Sequence, residues 1–196
     1  MKRRILTIFI SALSLILAGC SQGEDNYDET TLTVEKNGKV SQHIVESFDR
    51  DYYSIDELKG EYNDAVRSYN DSIGGEEIKL KNVELKDSRV YVDIAFTGPS
   101  DYESFVGEKL FVGTVNDAYD NGYSMDVTLK GVQEGDKIGK VRIMGMSDKD
   151  IIILSEHVRI KTFKDIAYVS ANVDVVDDNQ ARVLSESDGL AYLILK

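Results

Sequence analysis

The chain has 196 residues, with 35 acidic against 23 basic side chains, a formal charge of −12, one Cys, one Pro and no Trp. So acidic a chain is not built to grip nucleic acid, whose phosphates require a basic patch. The single Cys excludes a disulfide within the chain, so an exported fold must rest on its core alone. The length is that of one domain.

The first residues set the location. Lys2, Arg3 and Arg4 precede Ile5 to Ala18, a run broken only by Thr7, Ser11 and Ser14. A basic start, an apolar stretch of about 7–15 residues and small residues at a cut describe a secretory signal. The run is too short for the roughly 20 residues that span a bilayer. Its end, Leu17-Ala18-Gly19-Cys20, resembles the bacterial lipobox. The resemblance implies cleavage between Gly19 and Cys20 and a diacylglyceryl group on the Cys20 sulfur. Two acyl chains give lasting attachment where one holds only reversibly. The portion after the cut keeps 20 of the basic residues and all 35 acids, a formal −15. An anionic bilayer repels such a body, which favours standing off on a tether.

Residues 21–31 are read as that tether. They hold four acids and one aromatic but no aliphatic side chain, too little apolar surface to fold. Residues 32–196 are expected to form a single α+β domain. Leu32-Thr33-Val34 alternates, Asn37-Gly38 turns, and Val40 to Phe48 continues: a hairpin. Ser54 to Ile73 is a helix, with Ile55, Leu58, Tyr62, Ala65, Val66, Tyr69 and Ile73 on one stripe. Ser54 with Glu57 forms a capping box, and Gly74-Gly75 ends the helix. Ile78 and Leu80 share a face, while Val83 and Leu85 resume out of phase, so a bulge is expected at Lys81-Asn82. Lys86-Asp87-Ser88 turns the chain into Val90, Val92, Ile94 and Phe96, a half-buried strand stopped by Gly98-Pro99.

The middle is more broken, and two lobes would divide there, near 98–124. Tyr102 and Phe105 suggest a short helix. Thr114 with Asp117 starts another that ends at Asn121-Gly122. Strands are then expected at Met125–Leu129, Val141–Met144, Ile151–Leu154, Val158–Lys161, Ile166–Val169, Val173–Val176, Ala181–Leu184 and Leu190–Leu195. That cadence suits a meander, a small barrel or a sandwich. The expected fold is thus a ββαββ front half with one amphipathic helix, followed by a strand-rich back half.

Phe48-Asp49-Arg50-Asp51-Tyr52-Tyr53-Ser54-Ile55-Asp56-Glu57-Leu58, with Tyr69-Asn70, Tyr102-Glu103-Ser104-Phe105 and Gly113-Thr114-Val115, resembles uncharacterised lipoproteins of Gram-positive anaerobes. The likeness spans most of residues 30–196. It tilts the host towards a Gram-positive bacterium, with a Gram-negative one left open, and transfers no catalytic residue.

Reactive constellations are sparse. His43 and His157 lie outside any zinc-ligand spacing, so no metal is expected. Ser147-Asp148-Lys149 has the loose spacing of a Ser/Lys dyad but sits in a charged turn. Asp49/Asp51 and Asp117/Asp120 are carboxylate pairs of the kind a glycosidase sets across a cleft, yet each lies where acids favour a helix start or turn. Gly145, between Met144 and Met146, reads as a bend. No phosphate loop or dinucleotide fingerprint occurs, so no cofactor is implied. The expected function is therefore non-enzymatic: binding or an accessory role at the cell envelope, with the membrane and an envelope protein as partners. The alternative is a cell-envelope hydrolase using paired carboxylates.

Overall fold

The computed structural model describes residues 28–50, 52–185 and 189–196. The expected signal segment with Gly19 and Cys20, most of the expected tether, and Asp51 lie outside them.

The front half forms as its pattern demands. Strand β1 (Thr31–Val34) turns at Gly38 (φ 83°) into β2 (Val40–Ser47). Helix α1 (Ile55–Ile73) follows, with the Ser54 hydroxyl accepting the Glu57 N–H. It ends on Gly74 in the left-handed region (φ 69°), which glycine enters without strain. Strands β3 (Ile78–Lys86) and β4 (Arg89–Phe96) are joined by Asp87 and Ser88, both at positive φ. The expected bulge is present: the β3–β4 register slips between Leu80 and Asn82. Val66, with Ile55, Leu58, Tyr62 and Tyr69, packs α1 onto the core. The Asn70 side chain exchanges two hydrogen bonds with the Ile78 backbone and so holds the start of β3, a sheet edge.

Helix α2 (Pro99–Val106) opens on Pro99, which gives up an N–H the first turn leaves unpaired anyway. Strand β5 (Leu110–Thr114) leads into α3 (Val115–Asp120), where Thr114 and Asp117 cap each other reciprocally. Strands β6 (Leu129–Gly131) and β7 (Lys137–Ile138) precede α4 (Lys140–Met144). Then come β8 (Asp150–Leu154), β9 (Arg159–Lys161), β10 (Ile166–Ser170), β11 (Val173–Asp177), β12 (Gln180–Val183) and β13 (Ala191–Leu195).

The fold is α+β: among the described residues there are four helices and thirteen strands in two open sheets, with no closed barrel. One sheet has the order β11-β12-β9-β1-β2-β4-β3; the other is β5-β8-β13-β10-β6-β7. Among the described residues every pairing is antiparallel except β1 with β9. Two dominant features organise the packing. First, strands β9, β11 and β12 from the back half extend the front-half sheet, so a cut near 98–124 does not separate two lobes. Second, one core draws on both sheets: Leu32, Ile44, Val92 and Ile94 from the first, Ile152, Leu154, Leu193 and Leu195 from the second.

The second sheet also buries its other face. Ile151, Ile153, Tyr192 and Ile194 pack under Val115 and Ala118 of α3, Ile143 of α4, and Met125, Leu129 and Ile138. This explains why β8 and β13 are continuous apolar runs and do not alternate: both faces need side chains that water never touches.

Three expectations are corrected. Val141–Met144 is a helix, not a strand: Ile143 points into the core while Val141 is 89% exposed, so the apparent alternation buries only one residue. Of Met125–Leu129 only Leu129 is in a strand; Met125 is a buried plug outside any ladder. The tether ends sooner than residue 31. Thr31 is in β1, and Glu29 is clamped by Arg159 and Arg182 at 2.8 and 2.7 Å.

Burial on both faces of β8 predicts that Ile152→Ala and Ile153→Ala each lower unfolding stability by about 2–5 kcal/mol, the usual range for deleting a buried aliphatic chain. Chemical denaturation measures both. If only one face were covered, one of the two variants would be nearly silent.

Candidate functional site

Among the described residues the most perturbed ionisable group is Glu156, in the loop after β8. Along β2, Val40, Gln42 and Ile44 share the inward phase, and Gln42 is 3% exposed among them. Its Nε2 donates to Glu156 Oε1 at 2.8 Å. Tyr102, fully buried on α2, donates its hydroxyl to Glu156 Oε2. One carboxyl thus ties together β2 of one sheet, α2, and the segment leaving β8 of the other. Burial pushes its pKa up to about 7, against a smaller lowering by the Gln42 hydrogen bond. Both oxygens are spent on neighbouring side chains, so the arrangement fastens structure and presents no free acid to a substrate. Nothing in Ser155-Glu156-His157 marks this residue; the only signal was Gln42 at an apolar phase of β2.

An open groove lies beside β5, which pairs only with β8 and is therefore a sheet edge. Leu110, Phe111, Val112, Leu190 and Tyr192 line it together with Pro99, Ser100, Glu103, Lys109 and residues 121–124. The Phe111 and Tyr123 rings lie 5.0 Å apart. A Cβ at Gly113 would meet Phe111 Cζ at 2.9 Å, so the glycine lets that ring lie over the strand. Glu103, the one carboxylate among the lining residues, is ion-paired to Lys109. Burial raises the Tyr123 hydroxyl first and Glu103 raises it further; burial followed by the nearby Tyr123 raises Tyr192. The groove offers aromatic faces, amides and hydroxyls with a neutralised ion pair. That suits contact with an uncharged surface better than acid–base work.

The residues singled out in the sequence stay apart. His43 points outward from β2 and pairs with Asp93 on β4, Nδ1 to Oδ1 at 2.5 Å, with Tyr91 beside it. Thr31 faces His43 across the β1–β2 ladder. A hydroxyl, an imidazole and a carboxylate therefore stand in one row, but the Thr31 hydroxyl bonds to the Glu29 carbonyl and not to the ring. Such a row lacks the nucleophile–base hydrogen bond that activation requires. His157 is exposed in the β8–β9 loop. Ser147 and Lys149 are exposed, and their carbonyls accept from Asn116 and Val115.

Asp117 caps α3, and hydrogen bonds from Thr114 hold its carboxyl below the usual range. Asp120 accepts from Asn116. Asp49 is exposed beside Arg50, and its intended partner Asp51 lies outside the described residues. Gly145 closes α4. Among the described residues no group of His, Cys, Asp and Glu is arranged to hold a metal ion.

No family model matches the chain, and neither does any curated protein or solved structure.

Glu156 makes stability depend on pH with a definite sign. Between its ordinary value of 4.5 and about 7, the folded chain keeps a proton that the unfolded chain releases. Stability therefore falls as pH rises through that window, by at most on the order of 3 kcal/mol. Glu156→Gln keeps a neutral partner for Gln42 and Tyr102, so it should flatten the fall and raise stability at pH 8. Denaturation midpoints across pH 4–8 decide this; parallel wild-type and variant profiles would assign the dependence to another group.

Proposed function

We propose that the chain is an extracytoplasmic lipoprotein, held at the outer face of the cell membrane by a lipid on Cys20, whose acidic domain serves in binding and not in catalysis. The observation that carries this reading is the opening of the chain. Three cations, a 14-residue mainly apolar run and Leu17-Ala18-Gly19-Cys20 stand in the order and spacing that export, cleavage and lipid attachment use. The lone Cys supports it. An exported chain has little use for one free thiol, and a thioether accounts for it. Among the described residues no helix is long and apolar enough to cross a membrane, which is compatible with a lipid anchor.

The binding half of the proposal is supported by the groove beside β5. It offers Phe111, Tyr123 and Tyr192 with an internally neutralised Glu103–Lys109 pair. A hydrolase of the expected kind needs two carboxylates across a cleft, whereas this groove has one, already paired. Aromatic surface and amide groups fit a neutral face of an envelope protein or a small uncharged ligand.

Cys20→Ala tests the anchor. Cells fed labelled palmitate should yield a labelled wild-type chain that partitions into detergent, with a modified Cys20 as its first residue. The variant should lose the label and accumulate uncut. A wild-type chain that takes up no label, or that still begins at Met1, would overturn the proposal.

A further inference from the structure

Large apolar side chains are exposed at several isolated places, but Tyr52 and Tyr53 are different. They are 78% and 44% exposed, and their rings meet edge-on at 4.9 Å. Tyr53 stacks in turn on Phe48, again at 4.9 Å. Among the described residues this is the one ring pair in which both members are exposed. A Tyr ring with its body uncovered and its hydroxyl wet has the chemistry of the layer between water and hydrocarbon.

The position of the cluster matters as much as its chemistry. It sits in the β2–α1 loop, at the end of the first sheet where β1 begins. Phe48 N–H donates to Ser88 O at 2.8 Å, and Arg89, the next residue, reaches Asp28 at 3.6 Å. Thr30 Oγ1 accepts the Val45 N–H, and Glu29 is clamped by Arg159 and Arg182. The first described residues are thus fastened to the same end as the aromatic rings.

From Cys20 to Asp28 is eight residue steps, which span at most about 29 Å when fully extended. A domain of this size has a radius of gyration of about 15 Å. That radius corresponds to a compact body about 40 Å across, so the leash is shorter than the body it holds. Confinement of that kind raises the effective concentration of the nearest surface to the millimolar range, enough to populate a contact too weak to bind from free solution.

We propose that Phe48, Tyr52 and Tyr53 seat in the headgroup layer of the bilayer that carries the anchor, which fixes this end of the domain towards the membrane. The proposal rests on lipid attachment at Cys20, and the test separates the two. The chain contains no Trp, so a single introduced Trp reports its own surroundings. Tyr52→Trp places it in the cluster. Tyr119→Trp places it at an exposed position of α3, a helix whose Val115 and Ala118 pack on the other sheet.

Each variant is made as the full lipidated chain and reconstituted into phosphatidylglycerol–phosphatidylcholine vesicles, with headgroup-labelled quencher lipids in a parallel sample. Flotation with the vesicles reads the anchor. The expected result is that both variants float, and that only Tyr52→Trp shows a blue-shifted emission and loses intensity to the quencher lipids. If both float and the two Trp residues are quenched alike, the contact is wrong and the anchor stands. If neither floats, the anchor reading fails and the contact fails with it.

Discussion

Strands β8 and β13 must be kept from water on both faces, and much of the molecule is an answer to that requirement. Ile152, Leu154, Leu193 and Leu195 face the first sheet; Ile151, Ile153, Tyr192 and Ile194 face the other way. At about 25 cal/mol per Å² of apolar surface, a strand pair buried on one side only would forfeit much of what holds it. The first sheet covers one face. The short elements α3, α4 and β6–β7, with Met125 as a plug, cover the other. With no disulfide available to the chain, these two contacts carry the fold.

Polar groups inside such a stack must be paired, since an unpaired one costs about as much as a hydrogen bond gains. The Gln42–Glu156–Tyr102 cluster meets that condition at the junction of the two sheets. It also carries a tension: the carboxyl is held where its charged form is disfavoured. Buried carboxyls with displaced pKa values often mark active sites. Here both oxygens are occupied by neighbours from other elements, which favours a structural role in register and orientation between the sheets.

Local structure was legible wherever one face of an element was buried and the other wet. The hairpin at Asn37-Gly38, the stripe and cap of α1, the slip in β3 and the alternation of β4 all follow from period and turn chemistry. The capped start of α3 at Thr114 was equally plain. Boundaries and assembly were not. Val141 and Ile143 mimic a strand because a short helix with one buried residue leaves almost no periodic trace. The return of β9, β11 and β12 to the front sheet depends on pairings over 100 residues apart, which no local pattern encodes. The site was less legible still. Gln42 at an inward phase hinted at a buried polar partner, but that partner, Glu156, comes from a loop whose sequence is unremarkable. The groove arises from α2, β5 and β13 meeting in space.

The parallel pairing of β1 with β9 has a temporal consequence. Thr31–Thr33 align with Arg159–Lys161, so the central strand of the first sheet has one side unsatisfied until residues 159–161 emerge. At typical synthesis rates of about 5–20 residues per second, that interval is on the order of 10 s. Throughout it, the hairpin of β1 and β2 presents an open, hydrogen-bonding border to any other strand. A hairpin closes as soon as its second strand follows the first, whereas this border waits for a strand more than 100 residues further along. Until then the same border can template a stray strand as readily as its own, so conditions that keep neighbouring chains apart favour the native partner.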